Sequence, residues 1–213
     1  AYPSAQWREL VSGIQEASIT AKGIPTLYGV DAIHGATYTS GAALGPQQLA
    51  LAATWDTSLV RKMAEATAKE IQACGIPWNF APVLDVGRDP RWPRFWETFG
   101  EDVKLVGDMG VAMVRGFQEG PLPVAATLKH YVGYSMPWSG KDRTPAYIPE
   151  RQLREIFLPP FKQSIEAGAM TVMINSGEMN GIPTHVNRFV LTDLLRGELG
   201  FEGLAVTDWE DIK

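Results

Sequence analysis

Five runs of apolar residues recur along the chain, and each of them ends at a polar or charged side chain. None of the runs alternates between apolar and polar positions, so each predicts a strand that is covered on both faces, as in a parallel sheet between helices. The predicted strands are residues 24–31, 76–85, 124–130, 170–175 and 204–208.

Helix-like sequence separates these strands. Between the first two, Asp56 is placed to cap a helix whose apolar residues recur every three or four positions until Gly75, which can adopt the left-handed conformation that ends a helix. A second helix is predicted to follow Asp102, and the third crossover should be broken or kinked at Pro159 and Pro160. A fourth, shorter helix leads directly into the last strand.

Repeated strand-helix units fit either a (β/α)8 barrel or an open doubly wound sheet. No Gly-x-Gly-x-x-Gly motif follows a strand, which removes the usual dinucleotide-binding form of the open sheet. We therefore favour an α/β fold of the TIM type. Because five units are too few to close eight strands, the sequence predicts an incomplete (β/α)8 barrel, with residues 1–213 as part of one domain and no internal boundary.

Composition and charge restrict the class of ligand. The 213 residues carry a formal net charge of −5 without a long run of either sign, which argues against a nucleic-acid partner and against an anionic-membrane anchor. No apolar run approaches the length of a membrane span. The single cysteine, Cys74, excludes an internal disulfide and a zinc site built from cysteines. We expect a neutral or weakly charged ligand.

Polar side chains that can do chemistry gather where the predicted strands end. In a barrel these ends converge on one mouth. Carboxylates and cations bind hydroxyl groups, and aromatic faces stack on sugar rings, so sugar chemistry is the first hypothesis. The residues are Asp31, Asp85, Lys129, His130, Asn175 and Asp208, with Arg88, Arg91 and Arg94 in the loop after the second strand.

Five segments of the chain form a recognisable set: residues 23–35 (GIPTLYGVDAIHG), 87–97 (GRDPRWPRFWE), 99–102 (FGED), 129–130 (KH) and 207–209 (TDW). By these segments and their order, the chain resembles glycoside hydrolase family 3, most closely its β-glucosidase branch. The resemblance implies the N-terminal catalytic barrel of a retaining, exo-acting β-glucosidase that removes terminal β-linked glucose from glucosides and oligosaccharides. It implies no cofactor.

The same resemblance assigns roles to residues. It implies that Asp208 is the nucleophile that forms a covalent glycosyl-enzyme intermediate. The sugar would be bound by Asp31, Arg94, Lys129 and His130, with Trp209 as a wall of the subsite. Of the three arginines, Arg94 matches the sugar-binding one, while Arg88 and Arg91 are expected to hold their loop together by pairing with Asp85, Asp89 or Glu97. In relatives the Lys-His pair can include a cis peptide bond.

The second catalytic group is expected outside this sequence. After His130 the chain lacks the Asp-and-His loop that supplies the acid/base in the N-acetylglucosaminidase branch. The acid/base glutamate is therefore expected from a second, C-terminal domain. Two departures from the family pattern, Pro93 in place of a common glycine and Ser176 in place of a common tyrosine, indicate that contacts in the subsite can differ. The family resemblance also favours a periplasmic or secreted enzyme.

Two other functions stay open at this point. A non-catalytic sugar-binding module on the same fold would keep Asp31, Lys129 and His130. A lyase or aldolase barrel would use Lys129 to form a Schiff base. A metal site is not expected, since neither His-x-His nor His-Glu-x-x-His spacing occurs.

Overall fold

Five parallel strands form one curved sheet in the structure, a computed structural model that describes residues 1–212. Two further strands, β5 and β6, form a separate antiparallel pair. In chain order the strands are β1 Gly29–Val30, β2 Trp78–Asn79, β3 Ala125–Tyr131, β4 Thr171–Ile174, β5 Glu178–Met179, β6 Ile182–Pro183 and β7 Leu204–Thr207. The sheet has the order β1-β2-β3-β4-β7, and every neighbouring pair is parallel. Each of its strands overlaps one predicted run, and only β3 extends beyond its run, by one residue to Tyr131. The predicted α/β fold, an incomplete (β/α)8 barrel, is confirmed.

The first two strands are much shorter than their apolar runs. The second run is interrupted at Pro82, which follows Ala81 through a cis peptide bond and has no N–H group to donate to a neighbouring strand. Beyond the proline the chain rejoins the sheet through a single bridge between Val83 and Lys129. Apolar sequence thus predicts the course of a buried strand better than the extent of its hydrogen bonding.

Helices cover the sheet. They are α1 Ser4–Lys22, α2 Gln48–Ala52, α3 Thr57–Ala73, α4 Val103–Gln118, α5 Glu150–Gln152 and α6 Leu158–Glu166, with short 3-10 helices at Phe95–Glu97 and Thr184–Val186 and π-type helices at Leu153–Phe157 and Phe189–Glu198. The predicted cap at Asp56 is present, and Asp102 also caps the helix that was predicted to follow it. The Asp56 carboxylate accepts the N–H of Ser58 at 2.8 Å, and the Asp102 carboxylate accepts the N–H of Leu105 at 2.7 Å.

The third crossover changes its winding just before the proline pair. The π-type turn Leu153–Phe157 joins α5 to α6, and Pro159 and Pro160 lie in the first turn of α6. Missing N–H groups cost no helical hydrogen bond at that position. The expected interruption therefore takes the form of a wider turn upstream of the prolines.

Two elements have no counterpart in the sequence prediction. Helix α1 buries only Val11, so its apolar face is too thin to produce a clear helical period. The antiparallel pair β5–β6 is closed by Asn180 and Gly181, which both have positive φ values, of 54° and 86°. An Asn-Gly pair with two positive φ angles is the usual signal of a type I′ hairpin, and it is present in the sequence.

The core lies between the sheet and helices α3, α4 and α6. Strand β3 is at its centre, and six of its seven residues are buried. The ring of Tyr131 at the end of β3 packs edge-on against Phe161 of α6, with ring centres 5.2 Å apart, and both side chains are fully buried. Burial on both faces fixes β3 and with it the side chains at its carboxyl end. Among residues 1–212, no helix is long and apolar enough to cross a membrane.

Candidate active site

A cavity of about 680 Å³ opens where the strands of the sheet end. All six residues that the sequence assigns to a sugar site line this cavity. They are Asp31, Arg94, Lys129, His130, Asp208 and Trp209. Parallel strands present their carboxyl ends at one edge, which explains why side chains so distant in sequence meet there.

Lys129 and Asp31 form a close ion pair on one side of the cavity. The Nζ atom of Lys129 donates to Oδ1 of Asp31 at 2.6 Å. The Lys129 side chain is only 3% exposed, whereas that of Asp31 is 46% exposed. A buried ammonium group needs such a partner. Because Asp31 stays half exposed, its carboxylate can still accept hydrogen bonds from a ligand in the cavity.

Asp85 contacts both the backbone and the imidazole ring of His130. Both the backbone N–H and Nδ1 of His130 lie within hydrogen-bond distance of Oδ2 of Asp85, at 3.0 and 2.8 Å, and both side chains are buried. Burial, together with the positive charges of Arg94, Lys129 and Arg143, holds the pKa of His130 well below its ordinary value. The imidazole is therefore neutral at neutral pH.

Burial also changes the titration of Asp85. It raises the pKa of this carboxyl group to about 7, against the opposing effect of the backbone N–H of His130. When Asp85 is ionised it accepts the Nδ1–H of His130, which leaves Nε2 as a hydrogen-bond acceptor facing the cavity.

Arg94 is oriented by a two-pronged pair with Glu97. Its Nε and Nη2 atoms donate to the two carboxylate oxygens of Glu97 at 2.8 and 2.7 Å. The guanidinium also lies 5.6 Å from the centre of the Tyr134 ring. Burial by itself would lower the pKa of Arg94, but the hydrogen bonds and charge of Glu97 outweigh it and raise that pKa above the ordinary value. The cation in the cavity is thus permanent and fixed.

Asp208 lies at the end of β7, between two nitrogen groups. Its Oδ2 atom is 3.9 Å from Nε2 of His130, and its Oδ1 atom is 3.6 Å from Nη2 of Arg143. The side chain is 14% exposed, and within residues 1–212 no hydrogen bond reaches Oδ2. The next residue, Trp209, is 77% exposed and also lines the cavity. The cavity is therefore lined by Asp208, whose carboxylate has one oxygen without a hydrogen bond from the described residues, and by the tryptophan that follows it.

The loop after the second strand differs from the expectation in the partners of Glu97 and of Arg88. Arg91 pairs with Asp89 at 2.7 Å, as predicted for an arginine that stabilises its own loop. Glu97, however, pairs with Arg94 rather than with Arg88 or Arg91, so the carboxylate orients the cavity arginine. Arg88 instead donates to the backbone oxygen of Glu101, at 3.4 Å.

Three contributors to the site were not assigned by sequence reasoning. Asp85 was expected only as a possible partner of Arg88 or Arg91, whereas in the structure its carboxylate contacts His130. Tyr134 packs edge-on against His130, with ring centres 4.9 Å apart. Arg143 lies in a loop without periodic pattern, and nothing in the sequence indicated its approach to Asp208.

Two further features bear on the expectations. The Lys129–His130 peptide bond is cis, as the family resemblance implied, and so is the Tyr131–Val132 bond. Residues 1–212 contain no cluster of three or more histidine, cysteine or carboxylate side chains that could hold a metal ion.

Comparison with known proteins agrees with this architecture. The family model described as the glycosyl hydrolase family 3 N-terminal domain matches residues 2–213. The lysosomal beta glucosidase of Dictyostelium discoideum is 50% identical over 99% of the chain and 27% of its own length. The periplasmic beta-glucosidase of Salmonella typhimurium is 34% identical over 89% of the chain and 25% of its own length.

A solved structure supports the same relationship. The exo-1,3/1,4-beta-glucanase of a Pseudoalteromonas species superposes with a TM-score of 0.94 at 36% identity, covering 98% of this chain and 28% of that protein. The chain thus spans about a quarter of the length of the relatives it matches. It belongs to glycosyl hydrolase family 3.

Proposed function

We propose that this chain supplies the nucleophile and the sugar-binding groups of a retaining β-glucosidase that removes terminal β-linked glucose from glucosides and oligosaccharides. The observation that carries the proposal is the cavity at the strand ends, where Asp208 faces Asp31, Arg94, Lys129 and His130. The β-glucosidase activity in the names of two relatives supports the substrate class.

Binding of the sugar follows from the charged and polar groups in the cavity. A hexose in the terminal subsite presents several hydroxyl groups, which can both donate and accept hydrogen bonds. Asp31 accepts, Arg94 and Lys129 donate, and neutral His130 adds an acceptor beside Asp208. Trp209 provides an apolar surface for the ring face. The set recognises a neutral polyol by many directional contacts, which suits an exo-acting enzyme.

The reaction would proceed in two displacements. In the first, the Asp208 carboxylate attacks the anomeric carbon, a carbon–oxygen ester bond forms, and the bond to the aglycone oxygen breaks as an acid protonates that oxygen. In the second, water attacks the same carbon, gives its proton to the conjugate base, and releases Asp208. Two inversions leave the β configuration unchanged.

We propose that the acid/base glutamate comes from a second, C-terminal domain, while residues 1–213 belong to the catalytic barrel. Of the other carboxylates that line the cavity, Asp31 is paired with Lys129 and Glu97 with Arg94. Each of these two carboxylates therefore already serves to bind a neighbouring cation. The length of the relatives, about four times the matched part, leaves room for another domain.

The Schiff-base alternative is disfavoured by the state of Lys129. A lysine that forms an imine must lose its proton, usually in a desolvated site without a counter-ion. Here the Nζ atom of Lys129 lies 2.6 Å from the Asp31 carboxylate, so the site contains the counter-ion that such a lysine usually lacks.

The compartment is also a proposal. One relative is described as lysosomal and another as periplasmic. We infer that the protein acts in an exported compartment, periplasmic or secreted.

Azide rescue tests the assignment and separates it from a non-catalytic sugar-binding module. In the full-length protein, Asp208→Ala should abolish hydrolysis of an aryl β-glucoside, and added azide should restore release of the phenol with formation of the α-glucosyl azide. A single displacement by azide inverts the configuration, so the α product identifies the missing nucleophile. Parent protein without glucosidase activity, or a variant that keeps its activity without azide, would disprove the proposal.

A further inference from the structure

Arg143 touches three parts of the segment that carries Asp208. Its Nη2 atom lies 3.6 Å from Oδ1 of Asp208, and its Nη1 atom lies 3.4 Å from Oδ1 of Asp211. Nη1 also donates to the backbone oxygen of Trp209 at 3.3 Å. One guanidinium thus holds the backbone and two carboxylates at the end of β7, although it comes from the loop after β3.

The loop that carries Arg143 is fixed on both sides of it. The preceding residue, Asp142, accepts a hydrogen bond of 2.9 Å from the indole N–H of buried Trp92. The hydroxyl of the following residue, Thr144, lies 2.7 Å from that of Ser139. Arg143 itself has a φ of +56°, a region that residues with a side chain seldom occupy. Such a conformation persists only where its surroundings impose it, and it occurs most often at functional sites.

Nitrogen groups and carboxylates alternate through this part of the site. His185 Nε2 lies 3.5 Å from Oδ2 of Asp211, whose other oxygen faces Arg143. On the other side of Arg143 lies Asp208, whose Oδ2 atom is 3.9 Å from Nε2 of His130. Asp211 therefore anchors the outer edge of the guanidinium, while the inner edge faces the carboxylate of Asp208.

The distance to Asp208 is informative. At 3.6 Å the guanidinium lies beyond ordinary hydrogen-bond length, so it attracts the carboxylate without tying up an oxygen lone pair. A nucleophile needs this combination, because it must stay ionised and yet be free to attack. Arg143 is also absent from the described residues that line the cavity, so a bound sugar would not touch it.

We propose that Arg143 is a positioning residue for the nucleophile. It orients the Asp208 carboxylate and stabilises its negative charge, both before attack on the anomeric carbon and when the ester bond to Asp208 breaks in the second step. The inference rests on the proposed role of Asp208. It assigns to Arg143 an effect on the rate of glycosyl-enzyme formation and no effect on sugar binding.

The test is the rate of covalent trapping in the full-length protein by 2,4-dinitrophenyl 2-deoxy-2-fluoro-β-glucoside. The dinitrophenolate leaves without being protonated, so formation of the ester reports on the nucleophile alone. Arg143→Gly removes the side chain and accepts the positive φ, so this variant is expected to fold. Its maximal inactivation rate should fall about tenfold, less than the loss of a buried electrostatic group because Arg143 is half exposed.

Three comparisons complete the design. Arg143→Lys keeps a charge and should recover part of the rate. Arg151→Ala, which removes an exposed arginine paired with Glu155 far from the cavity lining, should keep the parental rate. The inhibition constant for glucose should stay within about twofold of the parental value in each variant, because a change that merely loosened the site would weaken sugar binding as well.

The outcomes separate the two proposals. Label on Asp208 in the parent and a parental trapping rate in Arg143→Gly would overturn the role of Arg143 and leave the nucleophile assignment standing. Equal losses of trapping rate and glucose binding in Arg143→Gly would also overturn it, in favour of a general structural role. Label on a residue other than Asp208 in the parent would overturn both proposals.

Discussion

Replacing Asp31 by asparagine removes the charge that faces the ammonium of Lys129. At the observed 2.6 Å, two unit charges attract each other by about 6 kcal/mol at an effective dielectric constant of about 20. Because the Asp31 side chain is 46% exposed, solvent screening and the cost of desolvating Lys129 reduce the net contribution. We expect the free energy of unfolding to fall by about 1–2 kcal/mol, since asparagine can still accept one hydrogen bond.

Urea unfolding of the parent and of Asp31→Asn measures this loss. The chain offers a matched control in Lys104 and Asp108, whose nitrogen and oxygen atoms are also 2.6 Å apart, but with Lys104 80% exposed. Asp108→Asn should change the free energy of unfolding by less than about 0.5 kcal/mol. Equal effects of the two substitutions would refute the argument that burial of the lysine sets the energy.

A double-mutant cycle isolates the pair. In the Asp31→Asn background, Lys129→Met removes the ammonium that has lost its counter-charge. We expect a coupling energy of about 1–2 kcal/mol, so the double variant should be more stable than the sum of the single losses implies. Asp31→Asn should also lower kcat/KM for a β-glucoside by roughly a hundredfold, because losing the hydrogen bonds from sugar hydroxyls to a charged group costs about 2–3 kcal/mol. Strictly additive stabilities would contradict the interpretation.

Two further predictions concern pH and packing. Burial raises the pKa of Asp85 to about 7, so the folded protein binds this proton more tightly than the unfolded protein does. Relative to Asp85→Asn, the free energy of unfolding of the parent should therefore fall by about 2–4 kcal/mol as the pH rises from 4 to 7. A constant difference between the two urea midpoints across that range would count against this prediction. A Cβ atom on Gly110 would lie 2.4 Å from the buried side chain of Leu84, so Gly110→Ala should lower the free energy of unfolding by about 1–3 kcal/mol. Gly13→Ala in α1 meets nothing within 4 Å and should raise it by up to about 1 kcal/mol. Urea unfolding of both variants measures the two changes, and destabilisation by both would show that crowding is not the cause.

The sequence predicts the members of the site better than their contacts. Asp31, Lys129, His130 and Asp208 each end a run of apolar residues, and a parallel sheet necessarily brings such ends together. The pairing of Arg94 with Glu97 depends on a short 3-10 helix, Phe95–Glu97, that brings the two side chains to the same side. No apolar period marks such a helix, so the pairing could not be deduced.

Most of what the pattern did not predict lies in loops and in a helix that buries little apolar surface. The course of the loop that carries Arg143 depends on hydrogen bonds between distant polar side chains, such as that of Trp92 with Asp142, which leave no local signature. Helix α1 buries too little apolar surface to show one. The Asn180–Gly181 turn, in contrast, did have a recognisable signal and was predictable.

The role of Asp208 is the central claim, and covalent trapping tests it most directly. The full-length protein would be inactivated with 2,4-dinitrophenyl 2-deoxy-2-fluoro-β-glucoside, digested, and mapped by mass spectrometry. We predict one fluoroglucosyl group for each chain, attached to the carboxylate of Asp208. A fluoroglucosyl group on any other residue would contradict the account, as would hydrolysis of glucosides by the parent protein without any covalent intermediate.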